Sequence, residues 1–314
     1  MNRLRALLRE DTAGDPMGQR GLWTGKRLRK ISSELARLGL RVCPNTVRRL
    51  LTEIDYALHA NRKSLCSSSP DRDEQFGYLT YQREQFRQRG LPIISVDSKK
   101  KELVGLFKNN GQVWCREAIR VQDHDFRSQA KGLATPYGIY DVQANCGMVL
   151  VGTSHDTPAF AVQALCQWWR REGSHRYPGA PELLILADSG GSNGARCRAW
   201  KLALQEKLVD SFQLAVTVCH FPTGASKWNP IEHRLFSEIS KHWAGQPLRD
   251  YPTMVRLIGQ THTQTGLRIK CLLNTQYYPT GVEISKDQMD GLDLFRHTTL
   301  PDWNYTLFPR INRN

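Results

Sequence analysis

The sequence predicts an α/β fold, a mixed β-sheet with helices on its faces, preceded by a small all-α region. Two observations support this. From about residue 92, buried-strand patterns alternate with helical patterns, whereas before residue 60 the apolar residues recur only at helical spacing. The chain has 314 residues, of which 40% are hydrophobic and 24% charged. This composition is ordinary for a globular protein, and the length allows two domains.

The front of the chain contains two short amphipathic helical patterns, at residues 26–38 and 44–54. Their apolar positions are Leu28, Ile31, Leu35 and Leu38 in the first, and Val47, Leu50, Leu51 and Ile54 in the second. Gly39 ends the first pattern and Pro44 begins the second. Two helices joined by a tight turn predict a helix-turn-helix unit, whose second helix reaches DNA bases with its first residues. Those residues are Asn45, Thr46, Arg48 and Arg49. An ordinary helical hairpin with a solvated basic face is the alternative.

The net charge of +14 is concentrated at the front. Residues 1–90 contain 18 lysines and arginines against 10 acidic residues, and the other 224 residues contain 26 against 20. A basic surface attracts a polyanion, and nucleic acid is the usual one. A basic surface that only keeps the protein soluble is the other interpretation.

The remainder of the chain alternates strands and helices. Predicted strands cover residues 92–98, 138–143, 147–154, 182–189 and 214–220, and predicted helices cover residues 157–172, 194–207 and 230–243. The helical crossovers after the hairpin indicate a mixed sheet covered by helices. We therefore predict a helix-turn-helix region within residues 1–65, with its helices from about residue 20, a linker helix within 66–90, and an α/β domain over 91–314. The segment from Ser98 to about Pro136 is an elaboration between the first two strands.

Three acidic residues fall where their elements end or begin at one edge of this sheet. Asp97 closes the first strand, Asp188 closes the strand LLILAD, and Glu232 lies in the first turn of the helix after the last strand. Open sheets of this kind bind ligands at the carboxyl ends of their strands. Three carboxylates that converge there repel one another unless divalent cations neutralise them, and hard oxygen ligands suit Mg²⁺ or Mn²⁺. Two such ions can hold the attacking and the leaving oxygen of a phosphodiester.

Each carboxylate also has a structural interpretation. Asp97 and Asp188 could simply end strands, and Glu232 could form a capping box with Asn229, three residues earlier. Asp141, in the second strand, competes with Asp97, although its position within a strand favours a cross-strand or surface role.

Other motifs carry less weight. Gly190 to Gly194 match G-x-S-x-G, which would make Ser192 a hydrolase nucleophile with Asp250 and His262 as partners. His220 and His233 lack metal-ligand spacing and are interpreted as core or surface residues. The eight cysteines contain no C-x-x-C pair, which argues against a zinc ribbon or a disulfide framework. No apolar run approaches a membrane helix, and no secretory signal opens the chain, so an intracellular protein is expected.

An ordered series of strings resembles one family of proteins. The strings are EDTAGDP (10–16), ISVDSKKKELVGLFKN (94–109), PYGIYD (136–141), VGTSHDT (151–157), LILADSGGSNG (184–194), VCHFPTGASKWNPIEHRLFS (218–237) and WNYTLFPR (303–310). They are similar to insertion-sequence transposases of the ISAzo group, the Rhodopirellula-type DDE transposases. The resemblance implies a ribonuclease-H-like catalytic domain, divalent-metal cofactors, and cutting and joining of DNA. The family's DDE positions map onto Asp97, Asp188 and Glu232.

The resemblance also implies the partners. We expect two Mg²⁺ (or Mn²⁺) ions, double-stranded DNA carrying the element's terminal inverted repeats, target DNA, and a homo-oligomer assembled on DNA in the bacterial cytoplasm at the nucleoid. Members of the family usually have more chain before EDTAGDP, so an N-terminally shortened copy is also expected. Residues that could line the DNA path are Lys99, Lys100, Lys101, Lys227 and Trp228. A solvated lysine face explains these lysines equally well.

Two alternatives to an active transposase are a helix-turn-helix regulator and a catalytically inert transposase remnant. Both predict DNA binding without metal-dependent nicking, whereas a serine hydrolase would depend on Ser192 and ignore DNA.

Overall fold

The protein is described by a computed structural model over residues 2–9, 12–13, 23–58 and 70–310. Residues 59–69 and most of the string EDTAGDP lie outside the described residues. The chain divides into two compact units, Met1–Leu65 and Cys66–Asn314, which are considered separately below.

In its described residues, the smaller unit contains three short helices. They are α1 (Asn2–Arg9), α2 (Leu28–Arg37) and α3 (Pro44–Thr52). Leu4 and Leu8 of α1 pack with Ile31 and Leu35 of α2 and with Val47 of α3, and all five are buried. The apolar stripes predicted for α2 and α3 therefore face a common core, except for Leu38, which lies beyond the end of α2 and is exposed.

The smaller unit is not purely helical. Strand β1 (Thr12–Ala13) pairs antiparallel with β2 (Trp23–Thr24). The sequence predicted only helices here, because a two-residue pairing is too short to leave an alternating pattern.

The larger unit contains a nine-stranded mixed sheet. Its strands are β3 (Ile93–Ser98), β4 (Glu102–Val104), β5 (Gly132–Asp141), β6 (Cys146–Gly152), β7 (Glu182–Ala187), β8 (Ala215–His220), β9 (Arg268–Asn274), β10 (Leu294–Arg296) and β11 (Asn304–Leu307). The order across the sheet is β10-β11-β8-β7-β3-β5-β6-β9, and β4 pairs with β5. Strands β3, β7 and β8 are parallel, while β5 is antiparallel to both β3 and β6.

The five central strands identify the fold. If the short strand β4 is left out, β3, β5, β6, β7 and β8 are the first to fifth strands along the chain. Their order in the sheet is β6-β5-β3-β7-β8, that is 3-2-1-4-5, and only the second strand, β5, runs antiparallel to its neighbours. This is the order of a ribonuclease-H-like sheet, and it confirms the predicted mixed sheet with flanking helices. Strand ends predicted from the sequence shift by at most two residues, except that β5 begins six residues earlier than expected.

Helices cover both faces of the sheet. They are α4 (Arg72–Gln88), α5 (Pro158–Trp168), α6 (Ser174–Arg176), α7 (Arg198–Ala203), α8 (Asp210–Phe212), α9 (Ser237–His242), α10 (Tyr251–Gly259) and α11 (Lys286–Asp290). Wider π-helical turns join α5 to α6, join α7 to α8, and precede α9. Helices α5 and α7 pack through Phe160, Leu165 and Trp200 on one face. Helices α9 and α10 pack through Ile239 and Met254 in a second cluster that includes Val149 and Val151 of β6.

The helix predicted to link the two parts, α4, belongs to the larger unit by its contacts. Leu79 and Phe86 are buried against strand residues such as Ile93 and Leu184. Gln75 is fully buried, and its amide nitrogen donates to the backbone oxygen of His220. Among the described residues, no helix is long and apolar enough to cross a membrane.

Candidate active site

Asp97 and Asp188 lie at corresponding positions on neighbouring parallel strands. Val96 of β3 is paired with Ala187 of β7, so the next residue on each strand is a carboxylate. Both side chains border a cleft of about 780 Å³ and are half-buried. Parallel strands therefore bring together two acidic residues that are 91 positions apart in the sequence.

Glu232 reaches the same region because its helix packs closely on the sheet. Gly138 of β5 is the partner of Asp97, and a Cβ atom at Gly138 would come within 2.5 Å of the Phe236 ring and 2.9 Å of Ile231. Only glycine permits this approach of the helix to the strand beside Asp97. Glu232 is half-buried, although it does not line the cleft that contains the two aspartates.

The three carboxylates are coupled through Asp97. The pKa of Asp97 is raised to about 8, chiefly by burial and then by the negative charges of Asp188 and Glu232, while the Ser98 backbone N–H lowers it. The carboxyl group of Glu232 is close enough to share a hydrogen bond with Asp97. Without a cation, this arrangement favours a protonated Asp97.

A pH experiment tests this repulsion. We expect the free energy of unfolding of the metal-free protein to fall, relative to that of Asp97→Asn, as the pH rises from about 4 to about 8. Between these two pH values, Asp97 keeps its proton in the folded protein but has lost it in the unfolded chain. The contribution of Asp97 to stability is therefore complete below its ordinary pKa of 3.8 and is lost as the pH rises to its folded pKa of about 8. Urea unfolding with chelator at about pH 5 and about pH 8 measures the difference. Parallel pH dependence of the two proteins would contradict it.

The predicted capping box of Asn229 and Glu232 is wrong. The side chain of Asn229 caps no helix; its amide nitrogen donates to Asp188 Oδ1 at 2.9 Å, and the Ser95 hydroxyl donates to its oxygen. The turn that begins at Glu232 is preceded by Ile231, which has helical dihedral angles. The Asn229 side chain does not cap the helix because it forms hydrogen bonds with Asp188 and Ser95 instead.

His220 supports Asp188 from the core. Burial lowers its pKa to about 4, so the ring is neutral, and its Nδ1 lies 2.9 Å from the backbone oxygen of Asp188. Its Nε2 faces the hydroxyl of Tyr305 at 3.4 Å, and Trp200 donates to that hydroxyl at 3.0 Å. Each group can donate to the next, from Trp200 to Tyr305, then to His220, and finally to the Asp188 carbonyl. The sequence predicted His220 to be a core or surface residue and gave no sign of this contact.

Asp156 is a site residue that the sequence interpretation missed. It lines the same cleft and accepts a hydrogen bond of 3.0 Å from the Ser98 hydroxyl, next to Asp97. Burial, together with the charges of Asp97 and Asp156, raises the pKa of Tyr137 well above its ordinary value. The signal available was the position of Asp156 in VGTSHDT, after a strand and before a helix.

The residues predicted to line a DNA path differ in availability. Lys99 forms an ion pair of 2.8 Å with Glu102 and lies 4.6 Å from the Trp243 ring centre, whereas Lys100 and Lys101 are exposed. Lys227 lies 4.0 Å from the Trp228 ring centre.

Trp228 remains 42% exposed, but other contacts cover part of it. The guanidinium of Arg72 lies 4.7 Å from its ring centre, and Phe76 packs edge-on against it. Trp228 therefore offers only part of its ring to a ligand.

The residues of the serine-hydrolase alternative do not contact one another. Asp250 caps α10 through Thr253, His262 bonds to the Gln260 carbonyl, and the Ser192 hydroxyl is buried without a partner among the described residues. No serine triad is assembled from these three.

Asp141 pairs with Ile94 at the other end of β3 from Asp97. It is fully buried and bonds to Arg176 and Tyr177. Its location opposite the carboxylate edge removes it from the candidate site.

The donor chemistry of the three carboxylates fits a divalent cation. Oxygen ligands from Asp and Glu suit Mg²⁺ or Mn²⁺, and a cation would relieve the repulsion that raises the pKa of Asp97. In the part of the chain that the structure describes, no three His, Cys, Asp or Glu side chains are already close enough to hold a metal ion.

A ribonuclease-H-like sheet with carboxylates at the ends of its central strands defines the class of nucleic-acid phosphotransferases. The chain belongs to the family described as Rhodopirellula transposase DDE domain, whose profile matches residues 3–309. It is therefore a transposase of the DDE type, as the sequence strings predicted.

Comparisons with solved structures find chains of similar fold. They include the Mos1 transposase paired-end complex with the left transposon end (16% identity, TM-score 0.42), the Mos1 strand transfer complex (17%, 0.43) and the mariner Mos1 paired-end complex with Mg (14%, 0.44). Each alignment covers 81% of this chain and 68% of the other. Among curated proteins, none matches the sequence significantly.

Proposed function

We propose that this transposase cuts and joins DNA at the terminal inverted repeats of an insertion sequence, using Asp97, Asp188 and Glu232 as its catalytic carboxylates. The observation that supports this most directly is the coupling of Asp97 to both other carboxylates at the carboxyl edge of the sheet. The reaction is in-line displacement at a phosphodiester, first by water and then by a DNA 3′ hydroxyl.

Asp97, Asp188 and Glu232 would hold two Mg²⁺ or Mn²⁺ ions, which would supply activation of the nucleophile and stabilisation of the leaving oxygen. The chain's own residues prepare this site. Strand pairing fixes Asp97 beside Asp188, Gly138 admits the Glu232 helix, and His220 holds the backbone at Asp188. Closely fixed carboxylates lower the reorganisation needed when charge develops on the phosphate.

The smaller unit is proposed to bind the ends of the element. Helix α3 presents Asn45, Arg48 and Arg49 to solvent, while Thr46 is half-buried and its hydroxyl lies 3.2 Å from the Cys43 sulfur. The short connection of residues 38–43 between helices α2 and α3 supports a helix-turn-helix unit. Arg48 and Arg49 are therefore the strongest candidates for phosphate or base contacts.

Salt dependence tests this assignment. We expect Arg48→Ala with Arg49→Ala to weaken DNA binding and to reduce the slope of log K against log salt by about 1 to 2, because each lost phosphate contact releases about 0.9 fewer counterions. Binding titrations with end-bearing duplex DNA at several salt concentrations measure it. Arg171→Ala, an exposed arginine of the larger unit, serves as the control. An unchanged slope in the double variant would remove α3 from the interface.

Lys100, Lys101, Lys227 and Trp228 are proposed to contact target or flanking DNA, and Lys99 contributes only if its ion pair with Glu102 opens. We further propose assembly of a homo-oligomer on DNA, and action in the bacterial cytoplasm at the nucleoid.

The test of the proposed function is cleavage of duplex DNA that carries the element's ends. Strand cleavage is expected with Mg²⁺ or Mn²⁺ and is expected to stop when a chelator is added. DNA binding without cleavage in either metal would instead favour the regulator or the inert remnant.

A further inference from the structure

We propose that Asn229 is a positioning residue, whose side-chain amide fixes the orientation of the Asp188 carboxylate and ties the Glu232 turn to strand β3. This inference rests on the proposed function, because it takes Asp188 and Glu232 as metal ligands. It adds a residue that contacts no substrate and acts through the carboxylates.

The amide nitrogen of Asn229 uses both of its N–H groups. It donates to Asp188 Oδ1 at 2.9 Å and to the backbone oxygen of Val96 at 3.3 Å. Asn229 is fully buried, so water does not compete for these bonds. A carboxylate with one oxygen held by a buried donor has a fixed plane, and its second oxygen remains available to a ligand.

The partners of Asn229 decide which way its amide faces. Asp188 Oδ1 and the Val96 carbonyl can only accept, so a flipped amide would place its oxygen against acceptors. On the other side, Ser95 is fully buried, its hydroxyl donates to Asn229 Oδ1, and the same hydroxyl accepts from the backbone N–H of Ile231 at 3.0 Å. The donor side of Asn229 therefore faces Asp188, and Ser95 satisfies its oxygen.

The network joins the three elements that carry the carboxylates. Ser95 is two residues before Asp97, and residues two apart on a strand face the same side of the sheet. Ile231 directly precedes Glu232. One pair of side chains thus connects strand β3, the end of strand β7 and the turn of Glu232, and this connection sets the relative positions of the three carboxylates.

Metal affinity distinguishes positioning from packing. We expect Asn229→Ala to weaken Mn²⁺ binding to the full chain, measured without DNA by calorimetry or by the Mn²⁺ EPR signal, by about 10-fold or more, as is typical when a partner of a ligand is removed. Ser95→Ala should weaken it in the same direction, and the double variant should add little, because both substitutions break one network. Ser95→Thr retains the hydroxyl and should restore most of the affinity.

Asn304→Ala is the matched control. Asn304 is equally buried, but its side chain bonds to Gln75 and to the Thr299 carbonyl rather than to a carboxylate. It should lose stability in urea and keep the parent's Mn²⁺ affinity. If Asn229→Ala does not fold, Ser95→Ala and its comparison with Ser95→Thr carry the test.

The outcomes separate the two proposals. A parent protein that binds no Mn²⁺ would contradict the metal-dependent function, and the inference with it. A parent that binds Mn²⁺ while the Asn229 and Ser95 variants bind it equally well would overturn only the positioning role. Equal loss of affinity in Asn304→Ala would also overturn it, because any buried amide would then have the same effect.

Discussion

Asp188→Asn is expected to lower metal-dependent strand cleavage by about 10³-fold or more, equivalent to about 4 kcal/mol of barrier. Asparagine keeps the shape of the side chain and an oxygen that can accept the hydrogen bond from Asn229. It removes the negative charge that holds a divalent ion, so cleavage should fail while DNA binding survives. Initial cleavage rates on end-bearing duplex DNA, with binding measured in parallel, give both quantities.

Substitutions of Asp97, Glu232 and Ser192 show whether a loss of cleavage in Asp188→Asn reflects the loss of a metal site. Asp97→Asn and Glu232→Gln should behave as Asp188→Asn does, and combining them should add little, since residues of one metal site act together. Ser192→Ala should keep much of the activity, because the Ser192 hydroxyl is buried and no His or Asp contacts it among the described residues. Cleavage that persists in Asp188→Asn but disappears in Ser192→Ala would refute the carboxylate assignment.

Asp141→Ala is expected to lower the free energy of unfolding by about 3 to 5 kcal/mol, since it removes the buried partner of Arg176 and leaves the other donors to this carboxylate without their acceptor. The Asp141 carboxylate is fully buried, accepts from Arg176 at 3.0 Å and from Tyr177 at 2.9 Å, and also receives the backbone N–H groups of Gln143 and Ala144. Urea unfolding of the parent and the variant measures the difference.

An exposed ion pair supplies the control for Asp141. Asp302 is 87% exposed and pairs with Arg296 at 3.1 Å, so Asp302→Ala should change stability by less than about 1 kcal/mol. If Asp141→Ala proves too unstable to fold, Asp141→Asn, which keeps an acceptor oxygen, should show a smaller loss in the same direction. Equal stability changes at Asp141 and Asp302 would show that burial of the Asp141 network contributes little.

Asp97 and Asp141 show how much of the site the sequence could predict. Asp97 and Asp141 both lie in predicted strands, and the period-two pattern could not by itself say which one borders the site. The sequence preferred Asp97 because it closes its strand. The sheet shows why they differ, since the antiparallel pairing of β3 with β5 carries them to opposite ends.

The sequence by itself determined the elements of the central sheet and the smaller unit's two predicted helices, because burial of apolar side chains imposes a period of 2 on strands and 3.6 on helices. It also indicated the strand ends at Asp97 and Asp188. It missed β4, β9, β10 and β11, because β9 alternates weakly and the other three strands are only three or four residues long.

Tertiary structure alone decided the partners of the polar side chains. Asn229 had a local alternative as a helix cap, but it bonds instead to Asp188, 41 residues away, and to Ser95, 134 residues away. Lys99 was expected at the DNA path, but it is paired with Glu102 and lies over Trp243. Apolar periodicity reports which face of an element is buried, whereas a hydrogen bond depends on which distant group packing brings within 3 Å, and local sequence carries no record of that distance.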